Sequence, residues 1–411
     1  MEIERIPSGY LVRHRDIILK FKNLYQEKTA VYAIVHVYRT LPQRRNLLIT
    51  NLNLMATRSV SEVGRILEKQ DEEPWSTLFP NLVAEIMTDF ITPPEPAQLQ
   101  PAENVSPEWL VEHLILKDAP TILFAPGGSG KSFLSLFIAL CVQNSIDFFG
   151  NTEQAKVLYL DWEVDKAEAE RRLGMIARGL SDIYEVTKYP SYLRMHIPLS
   201  DAIDSLLETT TEKGYRMLII DSAACAVGGD MNDSSVVTKF FSAIRRVNAC
   251  GITTLIISHV SKADKATEGR RSPVGSVHFE NFPRLAWELR SDYDADKYEY
   301  VMGLFCRKSN VGNLKPIGLR MSFRNNAVEI SPTGAEPLEA MGEKETTTKA
   351  IVAALAEKPM TPRELAKELD IKPTVVYSLL SRLRASGKVT QTGYGKWKAV
   401  RHDYEHDKVP F

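Results

Sequence analysis

Cysteine is scarce in this sequence, and what there is does not cluster. Cys141, Cys225, Cys250 and Cys306 lie far apart along 411 residues, with no CxxC pair. That spacing excludes a zinc finger and a disulfide framework, and predicts buried thiols in a reducing compartment. Neither charge is in excess: 51 Lys and Arg stand against 52 Asp and Glu. Affinity for a polyanion must therefore come from local patches. No apolar run approaches the length of a membrane span, and MEIERIPSGY at the start has no apolar signal core. A cytoplasmic protein without membrane contact is expected. The remaining composition, 44% hydrophobic and 25% charged, is that of a globular chain long enough for two or three domains.

Residues 1–91 read as an α+β domain. VYAIVHVYR (31–39) and NLLITNLNL (46–54) are rich in β-branched and aromatic residues, the mark of strands. SVSEVGRILEKQ (59–70) has apolar residues at helical spacing behind an N-cap serine. Five prolines in residues 92–107 then mark a linker. From 108 to 335 short apolar runs, TILFAP, KVLYLDWE, RMLIIDS and TTLIISH, alternate with helical stretches such as KSFLSLFIALCV and SVVTKFFSAIRRV. Strands buried on both faces look like this, so the expected fold is α/β with a mostly parallel sheet between helices. YEYVMGLFCRKS and LKPIGLRMSF are expected to close the sheet as a hairpin. A polar linker at 336–345, a small domain at 346–400 and a tail at 401–411 complete the chain.

The chemistry is concentrated in FAPGGSGKSF, between a strand and a helix. In GxxxxGK[ST] the glycines let backbone N–H groups curl round phosphates at a helix N-terminus. The lysine reaches the terminal phosphates and the hydroxyl binds magnesium. Ala125, Pro126, Gly127, Gly128, Ser129, Gly130, Lys131, Ser132 and Phe133 are the predicted cradle, with ATP and Mg2+ as cofactors. Ala125 replaces the pattern's first glycine, which a methyl group tolerates at a negative φ. Asp221, which follows the apolar run of RMLIIDS, suits a second magnesium contact beside Ser132. KVLYLDWEVD ends in three acids, Asp161, Glu163 and Asp165, any of which could orient an attacking water from a strand's C-terminal edge. Ser258 and His259 end TTLIISH, where a histidine either bonds the γ-phosphate or is satisfied within the sheet.

Residues 346–400 read as a winged helix: a helix near 347–357, a second opened by Thr361-Pro362, a third from about Thr374, then a hairpin with glycines at its tip. Val376, Leu379, Leu380 and Leu383 form its predicted core, and Gly387 ends the third helix. Residues 371–400 hold six basic residues, Lys372, Arg382, Arg384, Lys388, Lys396 and Lys398, and no acidic one. With Tyr377, Ser378 and Ser381 these are the predicted contacts to duplex DNA.

In order and content, these elements resemble the RecA-like ATPases, and among them the RepA-type hexameric replicative helicases of plasmids, phages and mobile elements. The resemblance covers about 108–335 and includes LIIDSAACAVGGDMNDSSVV, GSVHFENFPRLAWELR and CRKSNVG. It implies a catalytic glutamate at Glu163, a phosphate sensor at His259, and a homo-oligomeric ring, hexameric in that group, that hydrolyses ATP between subunits. It also implies a cationic finger from the neighbouring subunit. Related helicases carry a lysine and, two residues on, an arginine; here Lys308 is followed by Asn310, leaving Arg307 or Arg284 to compensate. DNA-facing loops are implied at about 225–235 and 262–276, the latter with Lys262, Lys265, Arg270 and Arg271. The expectation is a DNA helicase translocating on single strands, with an ATP-switched DNA-binding regulator or a filament-forming recombinase as alternatives.

Overall fold

The protein is described by a computed structural model covering residues 1–93, 95–101, 106–260, 272–275, 277–334, 347–369, 373–385, 389–392 and 395–400. The first ninety residues alternate apolar and polar positions, so one face of their sheet can be buried. Strands β1 (Glu2–Ile6), β2 (Gly9–His14), β3 (Ile17–Glu27), β4 (Ala30–Arg39) and β5 (Arg45–Asn53) form an antiparallel meander in that order. Its buried face, with Val12, Leu19, Phe21, Val35 and Val37, packs on helices α1 (Thr57–Glu68) and α2 (Trp75–Ile91) through Val63, Leu67, Trp75 and Phe79. The predicted serine cap of α1 is corrected: Ala56 occupies the N-cap and no side chain bonds the helix end. Asn53 makes the turn instead, its side chain accepting from Met55 N–H at 3.0 Å and its carbonyl from Ala56 N–H at 3.1 Å. Ser59 therefore lies inside the first turn.

The central region begins with a short hairpin, β6 (Trp109–Val111) and β7 (Ile115–Leu116). It continues through β8 (Pro120–Ala125), α3 (Lys131–Asn144), β9 (Val157–Asp161), α4 (Lys166–Ser181), β10 (Ser191–Arg194), α5 (Leu199–Lys213) and β11 (Met217–Asp221). Then follow α6 (Ala223–Ala226), α7 (Ser234–Ala249), β12 (Thr253–His259), α8 (His278–Asn281), β13 (Leu285–Asp294), β14 (Glu299–Ser309), β15 (Ile317–Arg324) and β16 (Ala327–Pro332). Nine strands make one sheet in the order β10-β9-β11-β12-β8-β13-β14-β15-β16. The first six run parallel, and β14 to β16 extend the sheet antiparallel.

Helices α3 and α4 cover one face and α5 and α7 the other, giving two separate cores. The parallel strands are apolar throughout because both faces are buried. The predicted closing hairpin of β14 and β15 is not the sheet's edge: β16 lies outside it, burying Val328 beneath α4. A Cβ added to Gly179 of α4 would lie 2.1 Å from the Val328 carbonyl oxygen, so the helix meets this strand backbone to backbone.

The C-terminal region holds α9 (Thr347–Glu357), α10 (Pro362–Glu368), α11 (Pro373–Ala385) and the hairpin β17 (Val389–Gln391) with β18 (Trp397–Ala399). Ile351, Leu355, Leu365, Val376, Leu380 and Leu383 form its core. Thr361 and Glu364 cap α10 reciprocally. No described helix is long and apolar enough to cross a membrane.

Candidate nucleotide-binding site

Strand β8 delivers the chain to the sheet's C-terminal edge, where it must turn sharply into α3. Gly128 (φ 76°) and Gly130 (φ 85°) take left-handed backbone that side chains resist, and Gly130 is the N-cap of α3. A Cβ at Gly130 would also meet Met302 Cε at 2.5 Å. Ala125, the departure from the glycine pattern, is buried at the end of β8 and has no positive φ. The loop's N–H groups and the N-terminus of α3 then form a nest for an anion. Lys131 is buried and folds back on the loop, donating to the Pro126 carbonyl at 2.8 Å and the Ala125 carbonyl at 3.2 Å. Ser129 donates to the same Pro126 carbonyl at 2.8 Å.

This loop floors a cleft of about 440 Å³. Ser132, Glu163, Asp221 and His259 line it, brought from the start of α3 and the ends of three parallel strands. Asp221 is buried, and burial raises its carboxyl above the usual carboxylate range against hydrogen bonds from Tyr159 and Ser132. Tyr159 Oη donates to Asp221 Oδ2 at 2.6 Å and lies 2.9 Å from the Ser135 hydroxyl. Burial, reinforced by the charge of Asp221, holds the Tyr159 hydroxyl protonated and so a donor. A hydroxyl and a carboxylate side by side are hard oxygen donors of the kind Mg2+ takes with a nucleotide's phosphates, so the residues present fit that ion. Among the described residues no cluster of three His, Cys, Asp or Glu forms a separate metal site.

The three acids after β9 have distinct positions. Asp161 is buried and accepts from the N–H groups of Glu163 at 2.7 Å and Val164 at 2.9 Å. Asp165 caps α4 by accepting from Glu168 N–H at 2.9 Å. These two shape the turn, and the residue between them, Glu163, faces the cleft. Ser222 donates to Glu163 Oε1, and His259 Nε2 stands 3.6 Å from the same oxygen. His259 first, and then Ser222, against burial, lower the carboxyl to about 2. Glu163 is thus a carboxylate at any ordinary pH.

The opposite wall is aromatic, and of its rings only Phe133 was among the expected cradle residues. Phe133, Tyr293, Tyr300 and Phe323 line it with Arg172 of α4. Tyr293 and Tyr300 lie 4.6 Å apart between ring centroids, and Phe133 meets Phe323 edge-on at 5.2 Å. Tyr300 Oη also donates to the Gly128 carbonyl at 3.1 Å, tying this wall to the phosphate loop. Flat apolar rings at one end and N–H groups at the other match a nucleoside and its phosphates. Tyr159 and Ser222 also went unread; a lone tyrosine in the otherwise apolar VLYLD was the available signal.

Arg307 and Lys308 do not line this cleft; both line another cavity, of about 240 Å³, with Asn281 and Glu280. Arg307 is paired with the fully buried Glu288 at 2.5 Å, which also holds Arg290 at 2.7 Å. Lys308 donates to the Asn281 carbonyl, and burial and then Arg284 lower its pKa. Among the predicted DNA contacts, Tyr377, Ser381, Arg384, Lys396 and Lys398 are exposed. Ser378 and Arg382 lie on α11, while Lys262, Lys265, Arg270, Arg271, Lys372 and Lys388 lie outside the described residues.

Residues 91–265 match the family model described as AAA domain. The match contains the phosphate loop, Glu163, Asp221 and His259, and ends before β13. No curated protein matches the chain. The chain therefore carries a P-loop, AAA-type ATPase domain, and nucleotide is its ligand class.

Proposed function

We propose that this protein is an ATP-driven DNA motor, a ring-forming helicase of the RepA-like kind. The observation that carries the ATPase part is the convergence of Lys131, Ser132, Glu163, Asp221 and His259 on one cleft. On this reading Lys131 leaves the Pro126 carbonyl for the terminal phosphates, and Ser132 and Asp221 hold Mg2+. Held by these two residues, the ion would supply neutralisation of phosphate charge. Glu163, ionised and held by Ser222, takes the proton of the attacking water. His259, beside that carboxylate in the same cleft, registers loss of the γ-phosphate. The base stacks on the wall of Tyr293 and Tyr300.

Three features support DNA as the object of this cycle. Residues 371–400, which hold the last helix and the hairpin of the C-terminal region, carry six basic residues and no acid, and two further helices precede them in the order a winged helix has. The resemblance of the 108–335 region points to rings that thread single strands. Finally, Lys308 and Arg307 stand away from their own cleft, as residues serving a neighbouring subunit would; with Arg307 paired to Glu288, Lys308 is the better finger.

The test is ATP hydrolysis without nucleic acid, with single-stranded DNA and with duplex, in the wild type, Lys131→Ala and Glu163→Gln. Stimulation by single strands is expected, with hydrolysis down about 100-fold or more in Glu163→Gln, the scale of losing a general base. Glu163→Gln should still bind nucleotide. Hydrolysis indifferent to single strands, with tight duplex binding, would replace the motor with an ATP-switched regulator.

A further inference from the structure

The meander of the N-terminal region buries only one face against α1 and α2. Cross-strand pairing fixes what the other face carries. Tyr25 lies opposite Tyr32, Lys22 opposite Ile34, Lys20 opposite His36 and Ile18 opposite Tyr38, while His36 pairs on its other side with Ile49. Directly opposed residues share a face, so these form one surface. The β3 side of it is taken: Lys20 and Lys22 both bond Glu208 of α5. The β4–β5 side and the far end of β3 are open, with Tyr25 45%, Ile34 39% and Ile49 61% exposed.

Aromatic rings line this open strip. Tyr25 and Tyr32 stack on each other at 5.3 Å, and His36 lies 5.0 Å from Tyr38, whose own ring is buried and so not open for stacking. Arg44 lies over the Tyr38 ring at 4.4 Å, and Arg44 and Arg45 are both exposed at the strip's end. From Tyr32 to Tyr38 the strip is about 20 Å long at the usual strand rise. An apolar partner protein would gain nothing from the two arginines. A polyanion with flat rings fits both features, by stacking on the tyrosines and pairing its backbone with the cations.

We infer that the open β4–β5 face of the N-terminal sheet is a stacking platform for single-stranded nucleic acid. This deepens the DNA reading above by giving the strand a second contact outside the ATPase domain. It needs no nucleotide in the cleft.

The test uses the full chain without nucleotide and a fluorescein-labelled oligothymidylate or oligouridylate, followed by anisotropy. Tyr25→Ala/Tyr32→Ala and Arg44→Glu/Arg45→Glu are each expected to weaken binding about tenfold or more, a loss within the range for one stacked base. The arginine pair should also flatten the salt dependence. DNA-independent hydrolysis by both variants should match the wild type, which verifies folding. Photocrosslinking with iododeoxyuridine should label tyrosines between residues 25 and 38. Lys131→Ala should bind the oligonucleotide normally, so loss of the motor reading would leave this result standing. Unchanged affinity in both variants, crosslinks confined to residues beyond 91, or variants that alter only the solution mass would overturn the inference.

Discussion

Glu163 owes its ionised state to two neighbours, and that makes its behaviour with pH specific. Its carboxyl, held at about 2 by His259 and then Ser222, is ionised at neutral and mildly acidic pH. Lowering the pH from 7 to about 5 should therefore produce no loss of kcat through Glu163. His259→Ala removes the larger influence, so the carboxyl returns toward the ordinary glutamate range near 4.3. An acid limb should then appear as pH falls toward that value, and kcat against pH in the two proteins checks it. Asp161 makes the companion case. Its raised pKa comes from burial, yet it accepts two backbone N–H groups, so it acts through geometry. Asp161→Ala should destabilise by about 1–3 kcal/mol for each donor left unpaired. It should also lower kcat by releasing Glu163 from its turn, whereas Asp161→Asn, which keeps an acceptor, should recover most of both. Urea denaturation and steady-state hydrolysis separate these outcomes.

At the scale of elements, α4 links the two walls of the cleft. It starts at the Glu163 turn, carries Arg172 and rests on β16 at Gly179. Gly179→Ala forces a methyl onto a backbone carbonyl and should cost about 1–3 kcal/mol, the range for overpacking. Thermal denaturation and nucleotide affinity should both fall, although residue 179 touches neither phosphate nor base. This is also where legibility in the sequence ended. The parallel strands and the phosphate loop are local patterns, continuous apolar runs and a glycine spacing, so β8, β9, β11 and β12 were readable. Edge strand β10 is short and half-exposed, and β1 to β3 mix charged with apolar residues, so they carry little signal. The aromatic wall was invisible for another reason: Phe133, Tyr293, Tyr300 and Phe323 become neighbours only when β14 and β15 fold back beside the loop. Likewise Asp161 and Asp165 could be told from Glu163 by residue alone only through the family resemblance; the hydrogen bonds of the turn make the distinction physical.

For the whole molecule, the N-terminal region meets the ATPase region through long side chains: Lys20 and Lys22 with Glu208, and Arg246, itself paired with Asp204 of α5, with the Pro7 carbonyl. Burial raises the Glu208 pKa, but hydrogen bonds from Lys20 and Lys22 outweigh it and the net shift is downward. A carboxyl lowered in the folded state contributes stability above its ordinary pKa and loses it as pH falls below. Docking should thus weaken below about pH 4, and Glu208→Ala should weaken it at neutral pH. Faster protease cleavage within residues 92–107, with hydrolysis unchanged, would be the readout. The contact between α4 and β16 has a different bearing. Because a backbone there touches a backbone, no side chain cushions α4 against the strand beside the aromatic wall. On the ATPase reading, the Glu163 turn and that wall are then expected to move as one piece, leaving nucleotide exchange to the loop at the mouth of the cleft.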